Sequence, residues 1–234
     1  MVIAHRGASG TCPENTLAAF RRAEALGAHM IELDVQLSRD GEVVVMHDWT
    51  LARTTSGRGR VGARTAAELH ALDAGSWFSQ AFAREPVPSL REVLAATGLP
   101  VNVELKSRGD DGLEARALAV VAEAGALDRV VFSSFRVASL VRLRAASAAA
   151  AIAVLWFRTG LDSAFRLAER VRATALHLRK DVVAAAGVRE ATERGLVVRA
   201  WTVNDLAESR RLAALGSQGV FTDFPERFLQ NAPH

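Results

Sequence analysis

Short apolar runs separated by helix-length amphipathic stretches recur along the whole 234-residue chain, and this alternation constrains the fold more than any other feature. Strands that alternate with helices pair in parallel, because each helix carries the chain back to the starting edge of the sheet. Nine runs stand out, at residues 2–5, 30–35, 43–47, 101–105, 130–134, 152–156, 174–178, 197–202 and 219–222. Helical periodicity fills 15–26, 113–124, 136–146, 163–172, 182–194 and 206–215. Gly27, Gly125, Gly195 and Gly216 stand where those helices should stop. A TIM (β/α)8 barrel takes about 250 residues and eight strand–helix units, so length and spacing both point to that α/β architecture.

One run is surplus. The connection from Val35 to Val43 contains Ser38, Arg39, Asp40 and Gly41, which is turn chemistry and leaves no room for a crossover helix. Runs two and three are therefore expected to form a β-hairpin. Centring its turn on Arg39 and Asp40 sets Glu32 opposite His47, with Glu32 and Asp34 on one face. Residues 49–90 have no clear strand and contain Gly57, Gly59, Gly62, Gly75, Pro86 and Pro88. They read as a small insertion over one barrel end, after the second barrel strand, within a single 1–234 domain. Its Leu69, Leu72, Trp77, Phe78 and Phe82 form either a small core or an apolar groove.

Composition narrows the function classes. A chain that is 50% hydrophobic and 24% charged has the profile of a globular domain with a full core. The longest stretch without charge, residues 145–157, falls short of the roughly 18 apolar residues needed to span a bilayer. Residues 1–4 run straight into His5 and Arg6, leaving no room for the apolar region of a secretory signal, so a cytoplasmic location is expected. Cys12 is the single cysteine, which argues against an internal disulfide and structural zinc. With 29 Lys plus Arg against 26 Asp plus Glu, the charge balance is too even for a nucleic-acid binder, although the pI is 9.9. Two acid-free stretches hold Arg53, Arg58, Arg60 and Arg64, then Arg129, Arg136, Arg142, Arg144 and Arg158. Both read as solvated surfaces, and the first also as a basic lip that draws phosphate-bearing substrates to a cleft.

The carboxyl ends of barrel strands form the rim where catalysis occurs in this architecture. Run one ends in His5-Arg6-Gly7, run two carries Glu32 and Asp34, and run four reads Val101-Asn102-Val103-Glu104-Leu105-Lys106. Three buried carboxylates aimed at one rim repel one another unless a cation joins them, and all-oxygen ligation suits Mg²⁺ or Ca²⁺. Salt bridges to Arg6 and Lys106 are the competing reading. His5 and His47 titrate near neutral pH and suit a general acid and base flanking a phosphate, while Arg6 and Lys106 suit its oxygens. His29, His70, His177 and His234 are assigned to packing or surface, and Glu14 and Asn15 to capping and rim scaffolding.

Taken in order, Ile3-Ala4-His5-Arg6-Gly7-Ala8, Pro13-Glu14-Asn15-Thr16, Ile31-Glu32-Leu33-Asp34-Val35, Asp40-Gly41 and Val45-Met46-His47-Asp48 form a specific pattern. Arg53-Thr54-Thr55, Val103-Glu104-Leu105-Lys106, Trp201-Thr202-Val203-Asn204 and Thr222-Asp223 with Pro225 complete it. The chain thereby resembles the glycerophosphodiester phosphodiesterase family over nearly its whole length. The resemblance implies a divalent cation, Mg²⁺ or Ca²⁺, on Glu32, Asp34 and Glu104, with His5 and His47 as the acid/base pair. It also implies Arg6 and Lys106 on the phosphate and Trp201 against the glycerol side, although Trp201 also reads as barrel packing. The implied reaction cleaves a small-molecule glycerophosphodiester to glycerol 3-phosphate and an alcohol, through water or through the substrate's own hydroxyl and a cyclic phosphate. His47 is the expected acid of the first step. Trp49, Ala52 and Leu178-Arg179-Lys180 depart from the family pattern and bear on substrate identity. Two other readings are a lysophospholipase D-like enzyme and a non-catalytic phosphate-binding barrel.

Overall fold

The structure, a computed structural model, describes residues 1–229; His234 lies outside them. Nine strands form one sheet: β1 (Val2–Ala4), β2 (Met30–Leu37), β3 (Val43–Val45), β4 (Val101–Leu105), β5 (Val130–Ser134), β6 (Ala151–Trp156), β7 (Ala175–Arg179), β8 (Val197–Trp201) and β9 (Gly219–Thr222). All pairings are parallel except that of β2 with β3, and β1 pairs with both β2 and β9. That double pairing closes eight strands into a TIM barrel and leaves β3 as a hairpin arm.

The helices are α1 (Leu17–Ala25), α2 (Ala66–His70), α3 (Leu90–Ala96), α4 (Leu113–Glu123), α5 (Val137–Ala146), α6 (Asp162–Arg170), α7 (Ala185–Glu193), α8 (Leu206–Ala214) and α9 (Pro225–Leu229). The six long stretches of helical periodicity match α1 and α4 to α8. Helices α3 and α9 complete the barrel's outer ring but are too short to show a repeat. Ser89 and Glu92 start α3 with a reciprocal capping box, a local signal that a search for long periodicity passes over.

Period-two alternation sorts the barrel strands into two faces. Ile31, Leu33 and Val35 of β2, with Val101, Val103 and Leu105 of β4, join the large apolar cluster between sheet and helices. Met30 faces inward with Ile3 and Phe221. Glu32 and Asp34 lie two and four residues beyond Met30, and Asn102 and Glu104 alternate with β4's outward residues. Strands that are hydrophobic on one face and polar on the other thus put every carboxylate into the barrel mouth.

The hairpin register differs by one residue from the expected one. Val35 pairs with Val45, Gln36 with Val44 and Leu37 with Val43, so Asp34, not Glu32, lies beside this end of the ladder, accepting from Met46 N at 2.9 Å. The turn is a three-residue loop, Arg39-Asp40-Gly41, closed by Ser38 N donating to Glu42 O at 3.0 Å. Gly41 has φ of +82°, a left-handed residue that a two-residue turn centred on Arg39 and Asp40 does not use.

The stretch after the hairpin packs Leu51, Val61, Leu69, Ala74 and Val87 with Val44 and Met46 into a small cluster of its own. Trp77, Phe78 and Phe82 stack edge to face on one another beside it.

Candidate active site

Strand register places the groups. Ala4 pairs with Ile31 and with Thr222, so the next residues, His5, Glu32 and Asp223, sit side by side at the rim. Asp34 pairs with Glu104 across β2 and β4. Oxygens of Glu32, Asp34 and Glu104 lie within 4.8 Å of one another. These side chains are almost wholly withdrawn from water, with residue exposures of 3%, 1% and 9%.

The chain after β1 turns sharply to bring Arg6 over the triad. Arg6 is left-handed at φ of +56°, a costly conformation for arginine that marks a functional constraint. Gly7 follows at φ of +81° with Ala19 so close that a Cβ would stand 2.6 Å from its methyl, so only glycine fits. The Arg6 amide donates to Glu32 Oε2 at 2.8 Å, and its Nη1 donates to Glu14 Oε1 at 2.8 Å. Lys106 Nζ lies 2.6 Å from Glu104 and 3.3 Å from Asp34.

These cations do not satisfy the whole cluster. Burial and the neighbouring Asp34 push Glu32 up to about 8, and the same two causes raise Glu104. Burial also opposes ionisation of Asp34, but Lys106 and Arg6 outweigh it and hold this carboxylate well below its usual range. The nearby cations therefore under-compensate Glu32 and Glu104, whose protonated forms are favoured unless a further cation binds. The donor set is all oxygen, which fits a hard divalent cation.

Each histidine is backed by a carboxylate. His5 Nδ1 lies 2.7 Å from Asp223 Oδ1, and His47 Nδ1 lies 2.7 Å from Asp48 Oδ1. Hydrogen bonding from His5 outweighs burial to hold Asp223 near 2, and the Arg53 guanidinium holds Asp48 near 2. Ionised carboxylates only accept, so each ring carries its proton on Nδ1 and presents Nε2 as the working nitrogen. Burial disfavours the charged form of both rings. Asp223 and Glu32 outweigh it at His5, whose pKa rises; at His47, Arg6 and Lys106 add to burial and the pKa falls.

Asp223 is itself held by Asn204 Nδ2 at 2.6 Å and Ser9 Oγ at 3.1 Å. Arg53 grips Asp48 through Nε at 2.6 Å and Glu14 through Nη1 at 2.7 Å, which ties His47 to Arg6 by way of Glu14. Arg53 is thus engaged in ion pairs, and the basic-lip reading does not hold for it. Gln36 Nε2 donates toward the carbonyls of Met46 and Asp48 at 2.9 and 2.7 Å, fixing the chain that carries His47 after the ladder ends.

Thr16, not Glu14 or Asn15, caps α1. Asn15 instead donates to Asp34 Oδ2 at 2.9 Å from a left-handed backbone. Of the remaining histidines, His177 is fully buried beside Arg199 inside the barrel, while His29 accepts from Val2 N. Asp223 had a signal in the sequence, since it follows the last strand as His5 follows the first. The ion pairs of Arg53 with Glu14 and Asp48, and the hydrogen bonds of Gln36, had no local one.

His5, Arg6, Glu32, His47, Glu104, Lys106 and Trp201 line one cavity of about 140 Å³. Buried Asn102 Oδ1, from one more lining residue, has no hydrogen-bond partner among the described residues, which leaves a polar group for a ligand to meet. The described residues include no helix long and apolar enough to cross a membrane.

A profile of the Glycerophosphoryl diester phosphodiesterase family matches residues 5–227, which takes in every one of these groups. The chain belongs to this family. A glycerophosphodiester phosphodiesterase of Caldanaerobacter subterraneus subsp. tengcongensis is 38% identical, the alignment covering 98% of this chain and 96% of that one. Another from Bacillus subtilis is 34% identical over 97% of this chain and 85% of its own. Among solved structures, an Oleispira antarctica phosphodiesterase in complex with the product sn-glycerol-3-phosphate superposes with a TM-score of 0.88. It is 34% identical, with 99% of this chain and 97% of that one covered. Membership makes the chain an enzyme, a phosphoric diester hydrolase with a glycerophosphodiester phosphodiesterase's activity.

Proposed function

We propose that the chain cleaves small glycerophosphodiesters to glycerol 3-phosphate and an alcohol, with Glu32, Asp34 and Glu104 holding one divalent cation, Mg²⁺ or Ca²⁺. The observation that carries this reading is the convergence of an acidic triad, two members of which (Glu32 and Glu104) line one cavity, with two histidines in that cavity each backed by its own carboxylate. When bound, the cation supplies Lewis acidity and cancels phosphate charge. Arg6 and Lys106 grip the phosphate oxygens, and Trp201 packs against the glycerol side. One histidine takes a proton from the attacking oxygen through Nε2, and the other gives one to the leaving alkoxide. The bond from phosphorus to the leaving oxygen breaks as the new one forms. If water attacks, its hydroxide stays on phosphorus and its proton leaves with the alcohol. The product held by the Oleispira antarctica relative supports glycerol 3-phosphate as the retained half.

The test is turnover of glycerophosphoethanolamine by wild type, His5→Ala and His47→Ala, with chelator and with Mg²⁺ or Ca²⁺ restored. Each variant should lose about 10² to 10⁴ in turnover, and chelator should silence the wild type. Near-normal rates in both single variants would sink the acid/base pair. Turnover indifferent to chelator would remove the cation.

A further inference from the structure

We propose that the barrel interior holds a second ligand site, below the catalytic cavity, in which Arg199 binds a small monovalent inorganic anion of the halide class. It uses none of the groups assigned to phosphodiester cleavage.

Period-two alternation puts Val197, Arg199 and Trp201 on the inner face of β8, since Val198 and Ala200 join the outer cluster. Arg199 therefore sits one layer beneath Trp201, paired with His177 of β7 and Gly219 of β9. Barrel interiors are normally filled by bulky aliphatic side chains, and a guanidinium placed there loses water that other partners must replace. Here the neighbours make the room. Ala153 and Ala175 are small and buried on the inner faces of β6 and β7, and a Cβ on Gly219 would stand 3.4 Å from Arg199 Cγ.

The partners that replace the water are too few. Arg199 Nη1 donates to His177 Nε2 at 3.2 Å, because a guanidinium has no lone pair with which to accept. His177 is fully buried, and burial together with Arg199 keeps it neutral, so its proton lies on Nδ1, which meets no acceptor among the described residues. Buried Arg199 Nε meets none either, and burial lowers the pKa of this arginine with no carboxylate to offset it. Elsewhere in the chain the Nε/Nη2 edge of an arginine is where carboxylates bind: Arg53 uses it on Asp48, Arg179 on Asp181 and Arg211 on Glu208. Two buried donors and a full positive charge, all short of acceptors, call for an anion.

Charge decides which kind. With His177 neutral, one negative charge balances Arg199, whereas a phosphate dianion would leave a surplus close to the apolar Ile3, Met30 and Phe221. The Met1 ammonium, which Arg199 repels, is exposed and left to solvent.

Two measurements on the whole chain test the site. Crystals grown in gluconate, a bulky organic anion, and soaked in sodium bromide should show an anomalous-scattering peak within hydrogen-bond distance of Arg199 Nε. A peak confined to Arg6 and Lys106, or none inside the barrel, would overturn the proposal. In solution, replacing sodium gluconate by sodium bromide or chloride at equal ionic strength should raise the wild-type melting temperature by about 2–4 °C, the rise expected when one ion is several-fold above its dissociation constant. Arg199→Met and Arg199→Gln should lose that rise, since neither carries the charge. A rise of the same size in either folded variant would mean an adventitious ion only and would overturn the site. A rise in sodium phosphate that Arg199→Met abolishes would overturn the halide assignment. The soak uses wild type, so it decides even if neither variant folds.

Discussion

Glu32 accepts from the Arg6 amide, but among the described residues no cation pairs with it as closely as Lys106 pairs with Glu104, and its proton affinity records the difference. An ordinary glutamate titrates near 4.5 and Glu32 near 8, so between these values the folded chain keeps a proton that the unfolded chain releases. Stability therefore falls as pH rises through that window, and a cation on the triad removes the need for the proton. In chelator, the melting temperature should fall between about pH 6.5 and 8, and Mg²⁺ or Ca²⁺ should shrink that fall. A melting temperature unaffected by either change would contradict the account of Glu32. Asp223 makes a second residue-scale case. Asp223→Asn keeps the side chain's shape but removes the charge that fixes the His5 tautomer, so kcat should drop by about 10² to 10⁴ while KM changes little. Steady-state kinetics on glycerophosphoethanolamine check this. The rim position of His5 and the shared face of Glu32 and Asp34 were legible in the sequence because a strand's end and its period-two alternation are local. The pairing of Asp223 with His5 had no local signal, because the two lie 218 residues apart.

At the scale of elements, the hairpin shows where local reasoning stops. Its existence followed from the short polar connection between two apolar runs, but its register depended on whether two or three residues formed the loop. Gly41 in the left-handed region decided for three. His47 consequently owes its place less to strand pairing than to Gln36, whose amide reaches the carbonyls just beyond the ladder. Gln36 is 3% exposed, so Gln36→Leu leaves those carbonyls without their donor in a buried setting. The expected cost is about 1–3 kcal/mol in urea unfolding, and displacement of His47 should lower kcat by up to about 10². Wild-type kcat in a destabilised Gln36→Leu variant would show that the hairpin end holds itself. Helices α3 and α9 illustrate the same limit, since seven and five residues are too few to display a helical repeat.

Across the whole molecule, two clusters divide the work. The large one between sheet and helices holds the barrel in shape, and the small one beneath the hairpin arm seats the segment that carries Arg53. Phe132 of β5 is among the largest fully buried side chains and points toward the helices, away from the site. Phe132→Ala should cost about 3–5 kcal/mol in urea unfolding yet leave kcat near wild type below the new melting temperature. A proportionate loss of kcat in the folded variant would mean that the outer cluster governs the site.

Alternation within a strand is a property of neighbours in the chain, so the sequence alone determined that Glu32 and Asp34 share a face, that Asn102 and Glu104 do too, and that this face is not the packed one. The count of strand–helix units determined the barrel. Only the tertiary structure decided which strand ends meet. Closure of β1 on β9 brings Asp223 to His5, and the fold of the inserted segment brings Arg53 between Glu14 and Asp48. Both depend on contacts between distant parts of the chain, whose positions follow from how the whole sheet closes and packs.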